Sequence, residues 1–115
     1  MIDYSNKITY KGREYTLVFN LNVMEQIQKE YGSLDKWGGL TDGKNGEPDA
    51  RAVIFGITEM INEGIDIGND ENGTNEPFLT HKQVGRMITD IGLRDATEVL
   101  QDTVVQSTQS TEKNA

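Results

Sequence analysis

Between Tyr15 and Gly32 the chain changes its period without a break: Tyr15-Thr16-Leu17-Val18-Phe19-Asn20-Leu21-Asn22-Val23-Met24-Glu25-Gln26-Ile27-Gln28-Lys29-Glu30-Tyr31-Gly32. Tyr15, Leu17 and Phe19 alternate with Thr16 and Val18, the period of a strand with one apolar face. From Val23 the apolar positions fall at Met24, Ile27 and Tyr31, the period of a helix. Upstream, Ile8 and Tyr10 alternate with polar neighbours, and Lys11-Gly12 supplies a turn whose glycine accepts positive φ. The pattern predicts a β-hairpin over residues 7–19 that hands directly to a helix over about 22–31. Asn20 or Asn22 offers the N-cap oxygen, and Gly32 the C′ position. A lone hairpin is marginal in water, so these strands must pack on helices or join another sheet.

The rest of the chain reads as helices and polar loops. Ser33 caps a short turn through Leu34 and Trp37 that Gly38-Gly39 ends. Thr41 to Glu47 is a loop by composition, with Asp42-Gly43 and Asn45-Gly46 as turn dipeptides. Pro48 suits a first helical position and Asp49 the positive end of a helix dipole, so a helix is predicted over about 49–63. Its stripe is Val53, Ile54, Ile57, Met60 and Ile61, and Gly64 is read as its stop. Gly56 lies beside that stripe, where it costs up to about 1 kcal/mol against Ala, so another helix is expected to approach closely there. Asp66 to Pro77 reads as a long polar loop, functional or mobile. Thr80 and Gln83 form a capping box for a helix over about 80–91, with Val84, Met87, Ile88 and Ile91 inward and Gly92 at its end. A last helix is predicted over about 94–105, with Ala96, Val99, Leu100 and Val104 facing the core. The polar run 106–115 reads as a disordered tail.

The fold class that follows is α+β and predominantly helical: an N-terminal hairpin packed on about four helices, in one domain over 1–105. A chain of 115 residues is one domain by length, and it buries roughly two-thirds of the surface exposed when unfolded. There is no cysteine, which removes disulfides, thiol chemistry and cysteine zinc sites. The net charge of −8 repels a phosphate backbone and anionic lipid, so neither nucleic acid nor membrane is an expected partner. No apolar run follows Met1, and none approaches the roughly 20 residues of a spanning helix. A soluble cytoplasmic protein is expected.

The search for catalytic groups is mostly negative. Gly73 at the sixth position of a calcium loop places Asp70 and Asn72 correctly, but puts Gly68 and Leu79 where the first ligand and the bidentate Glu belong. His81, the single histidine, sits in the first turn of a capped helix beside Lys82, an exposed position, with no second histidine to share a metal. Glu59 and Glu63 stand one helical turn apart, on a helix edge rather than in a cleft. Between Arg51 and His81 every charged residue is acidic, which makes either a solvated face or a docking surface for a basic partner. No phosphate-binding glycine loop and no nucleophile elbow is present. Trp37 and Phe78 flank the two polar loops. With Leu79 they are the candidate partner-binding residues, the competing reading being plugs at the edge of a small core. The chain is expected to be a binding or assembly protein, with no enzymatic activity, cofactor or metal.

Three stretches are familiar together: Tyr10–Trp37 (YKGREYTLVFNLNVMEQIQKEYGSLDKW), Phe55–Ile67 (FGITEMINEGIDI) and Phe78–Gly92 (FLTHKQVGRMITDIG). In overall pattern they resemble the small tail assembly chaperones of siphophages and of prophages in Gram-positive, clostridia-like bacteria. The resemblance implies a protein of the host bacterial cytoplasm, absent from the finished virion. Such a protein binds the tape-measure protein and keeps it soluble while tail-tube subunits polymerise around it. It also implies self-association and the tail-tube protein as a second contact. The alternatives are a structural virion component, such as a tail-tube or head–tail connector protein, and a small acidic metal-binding or regulatory module resting on the Asp66–Glu76 loop.

Overall fold

The computed structural model describes residues 6–44 and 46–113, with side chains described to residue 108. Strands β1 (Asn6–Tyr10) and β2 (Arg13–Leu17) form an antiparallel hairpin, followed by five helices: α1 (Leu21–Tyr31), α2 (Leu34–Thr41), α3 (Ala50–Asn72), α4 (His81–Ile91) and α5 (Leu93–Lys113). The α+β, predominantly helical class is the one the sequence predicts, with five helices in place of about four. Among the described residues no helix is long and apolar enough to cross a membrane.

The hairpin forms where the alternation places it. Ile8 pairs with Tyr15 and Tyr10 with Arg13 across a two-residue turn. Lys11 and Gly12 both take positive φ, 51° and 77°, the twist a two-residue hairpin loop requires. Ile8, Leu17 and Phe19 are buried. Asn20 is the N-cap of α1: its side-chain oxygen accepts from Val23 N at 3.2 Å. Asn22 is left to reach across to α3.

Three boundaries differ from the sequence expectation. Asp49, not Pro48, opens α3, as an N-cap whose carboxylate accepts from Ala52 N at 3.0 Å. Nor does α3 stop at Gly64. It runs 23 residues to Gly73, which closes it in the left-handed region at φ 64°. The expected loop from Asp66 is therefore helix as far as Asn72. Similarly, α2 passes through Gly38-Gly39 and ends only at Thr41.

Gly64 answers to packing rather than to termination. A Cβ there would lie 2.6 Å from the carbonyl oxygen of Thr16. The bare Cα lets β2 approach α3 so closely that Val18 donates its backbone N–H to the carbonyl of Met60, 3.1 Å, inside the helix. Gly56 has the expected role with an unexpected partner. A Cβ there would meet Trp37 Cζ2 at 2.5 Å and Leu100 Cδ1 at 3.3 Å. Both the indole from α2 and a leucine from α5 press on that spot.

The fourth correction concerns the tail. Residues 106–113, expected to be disordered, continue α5, while 114–115 lie outside the described residues. Extending an existing helix fixes one residue per hydrogen bond gained, without a new nucleus. The packed part of α5 supplies that nucleus through buried Ala96, Leu100 and Thr103. Thr97, Thr103 and Thr108 return their hydroxyls to the carbonyls four residues back, at 2.7–2.9 Å. Asn6 donates to Thr103 Oγ1 at 3.0 Å and Gln101 to Thr41 Oγ1 at 3.0 Å, tying α5 to β1 and to the end of α2.

The glycines of α3 give a test with opposite signs. Gly56→Ala and Gly64→Ala should each destabilise by about 1–3 kcal/mol through overpacking, despite the gain in helix propensity. Gly68→Ala meets nothing within 4 Å. It should stabilise by up to about 1 kcal/mol, read by urea denaturation.

Candidate functional site: a trough along α3

Helix α1 runs antiparallel to α3. Asn22, at the start of α1, donates to Glu63 at 3.0 Å, and Glu30, near its end, pairs with Arg51 at 3.2 Å. Asn20 also donates to Glu63, at 2.6 Å, so the N-cap of α1 is held to α3 by the carboxylate it shares with Asn22. On the other side of α3 the chain returns from Gly73 to α4.

This returning segment is bracketed by two asparagines. Asn62 donates to the carbonyl of Leu79 at 3.0 Å and accepts its N–H at 2.8 Å. Two turns on, Asn69 does the same with Glu76, 3.0 and 2.9 Å, and accepts from the Thr74 hydroxyl at 2.9 Å. Each amide replaces a neighbouring strand for one residue, since a carboxamide carries a donor and an acceptor side by side. Glu76 is fastened further by Arg13 at 2.8 Å. The stretch expected to be a free polar loop is thus a short, tethered connection. The helical turn over 66–72 also removes the loop on which a calcium site would rest, and among the described residues no three His, Asp or Glu side chains converge as metal ligands.

Between α1 and the bracketed segment, two depressions that share no lining residue lie one after the other along α3 and make a broken trough. Arg51, Phe55, Glu59, Asn62 and Asp66, at spacings of four, four, three and four, run along one face of the helix, about 22 Å at the helical rise. At one end an apolar depression of about 510 Å³ has Ile54, Phe55 and Gly85 on its floor and Arg51, His81 and Lys82 at its rim. At the other, a depression of about 390 Å³ is lined by Glu25, Glu59, Glu63 and Asp66, with Phe78 at its lip. The rings of Phe55 and His81, centroids 5.8 Å apart, both line the apolar depression. Behind Phe55, Tyr31 packs edge-on at 5.6 Å. Its hydroxyl is buried without a hydrogen-bond partner in the protein, and that desolvation raises its pKa.

The candidate residues separate. Phe78 is 54% exposed and stands between the acidic depression and a second hollow beside Asn69 and Thr74. Leu79 is half-buried against the core, its backbone held by Asn62. Trp37 is 2% exposed, and its Nε1 donates to the carbonyl of Ala52 at 3.0 Å. It is a core residue, because the bare Cα of Gly56 gives its ring a place to lie inside. His81 is exposed in the first turn of α4, and the capping box is made as predicted: Gln83 N to Thr80 Oγ1 at 3.1 Å, Thr80 N to Gln83 Oε1 at 2.8 Å. The asparagine brackets were not read from the sequence; the only signal for them was Asn62 and Asn69 seven residues apart. Comparison with known protein families, curated proteins and solved structures gives no match.

Burial raises the pKa of Glu59, with Glu63 adding to the shift and His81 opposing it. A carboxyl whose pKa is raised by folding holds its proton more tightly in the native state. Stability is therefore lost as pH rises from the ordinary carboxylate range through the raised value. Glu59→Gln should raise Tm at pH 7 and leave it nearly unchanged below pH 4, by thermal denaturation across pH. Asn62→Leu removes both bracket bonds and should cost about 1–2 kcal/mol. The Leu79 amide should then exchange faster by hydrogen–deuterium mass spectrometry.

Proposed function

We propose that the chain is a non-enzymatic tail assembly chaperone that holds helical segments of a tape-measure protein in the α3 trough and keeps that client soluble. The observation that carries this reading is the trough itself. It comprises one apolar and one acidic depression on the same face of α3, the second with an exposed phenylalanine at its lip. An amphipathic helix laid in a groove is a recurrent way to hold a segment that would otherwise expose an apolar stripe. The three stretches that resemble tail assembly chaperones supply α1, α3 and the Phe78–Lys82 wall, so the resemblance falls on the elements that make the trough.

The acidic surface suits the same role. A net charge of −8 keeps a complex with a sticky client dispersed. Of the two aromatics singled out in the sequence, Trp37 is buried and Phe78 is the one exposed to a client.

The test is co-expression with a tape-measure protein, the client this reading names, followed by a pull-down on the tagged chain. Recovery of a soluble complex, from a partner insoluble alone, is the expected result. Phe78→Ser should cut that recovery several-fold while leaving Tm within a few degrees, because the ring is exposed. Finding the chain as a stoichiometric component of purified virions, with the partner insoluble and unbound, would replace the chaperone with a structural virion protein.

A further inference from the structure

From Asp66 to Thr80 no side chain is buried, although the backbone is helical as far as Asn72. The last buried residue of α3 is Ile65, and burial resumes only at Val84 in α4. The end of α3 is also poor in what sustains a helix. Gly68, Asn69, Asp70 and Asn72 have low propensity, and the last turn carries Asp70 and Glu71 but no base against the negative end of the dipole. What holds this end is Asn69. Its carbonyl accepts from Gly73 N and Thr74 N, and its carboxamide takes both backbone groups of Glu76 and the Thr74 hydroxyl. Those side-chain bonds require residue 69 to be helical. The connection after Gly73 has few others: Leu79 is held by Asn62, and Glu76 by Arg13 of β2.

We propose that residues 66–79 form a latch, a single order–disorder unit that closes on α3 and opens without the rest of the fold. Helix end and connection hold each other. Unwinding 66–72 moves Asn69 away from Glu76. Releasing Glu76 leaves the last turns of α3 without the bonds that offset their poor propensity. Such units are drawn from the low-stability end of a fold, where few apolar contacts are lost on opening. Open, the segment is the polar loop that its composition predicts. Closed, it sets Phe78 between the two hollows that the ring lines. Arg13 lies outside the latch, so the hairpin fastens the segment that carries Phe78 from across the fold. None of this depends on what Phe78 touches.

Amide hydrogen exchange of the intact 115-residue protein, resolved by NMR and followed in low urea, tests this. The amides of residues 70–74, of Glu76 and of Leu79 should share one opening equilibrium that urea hardly changes. Those of residues 57–61 should exchange far more slowly and follow the urea dependence of global unfolding. Two variants separate a latch from simple fraying. Asn69→Ala improves helix propensity, so a fraying helix end would exchange more slowly. A latch that loses its pin should exchange about tenfold faster at residues 70–72, as well as at Glu76 and Leu79. Arg13→Gln removes an ion pair that touches the segment only at Glu76. It should speed the same set about two- to fivefold, residues 70–72 included, and leave 57–61 unchanged.

Exchange of residues 70–74 only through global unfolding overturns the latch, as does protection that declines residue by residue toward Gly73. Slower exchange at 70–72 in Asn69→Ala also overturns it, because the helix end then frays on its own. So does an Arg13→Gln effect confined to Glu76, because the segment then lacks the cooperativity that makes it one unit.

Discussion

The backbone N–H of Val18 reaches the carbonyl of Met60 in the middle of α3, and much of the structure depends on that approach. A strand does not ordinarily come within hydrogen-bonding distance of a helix backbone, because side chains hold two elements about 10 Å apart. Here the obstacle is removed at one position, Gly64, whose Cα faces the Thr16 carbonyl. The hairpin is thereby fixed against the helix along its second strand, and the chain leaves β2 already beside α3. The abrupt passage from strand to helix at Asn20 follows. With β2 held there, α1 starts next to Glu63, which accepts from both Asn20 and Asn22 and sets the helix antiparallel to α3.

A second close approach, about two turns earlier on α3 at Gly56, sets the other side of the core. Trp37 lies over Gly56 and is orientated by its bond to the Ala52 carbonyl. Satisfying the indole N–H lets the largest side chain in the protein be buried without leaving a polar atom unpaired. Leu100 of α5 reaches the same glycine, so one missing Cβ locates three helices. The two glycines hold the hairpin, α2 and α5 close to α3, while α1 and the Phe78–Lys82 segment pack on either side of its 51–66 face through Glu63 and Asn62. The depressions lie between these two flanks.

Much of the fold was legible in the residues because it is decided locally. The hairpin register follows from alternation and a two-residue turn, the start of α4 from the Thr80–Gln83 box, and the buried faces from period. Gly64, Gly38-Gly39 and the polar run after Val105 were read by their own propensities. At Gly64 that reading was overruled by the Thr16 carbonyl across the fold, while the other two continue helices that their packed neighbours, Trp37 and Leu100, had already nucleated. A glycine that ends an isolated helix and one that admits a strand look the same in a window of ten residues.

The sequence by itself determined where the hairpin and the centres of the helices lie, where most of the helices begin, and that the net charge is acidic. Those depend on side chains within a few residues of one another. Only the tertiary structure decided that Trp37 is core while Phe78 is surface, although both are aromatics beside polar segments. It also decided that Asn62 and Asn69 tie down the connection to α4, and that Glu25 of α1 meets Glu59, Glu63 and Asp66 of α3 around one depression. Each of these turns on what lies across the fold, because burial, bracket bonds and the sum of nearby charges belong to the neighbours a residue acquires.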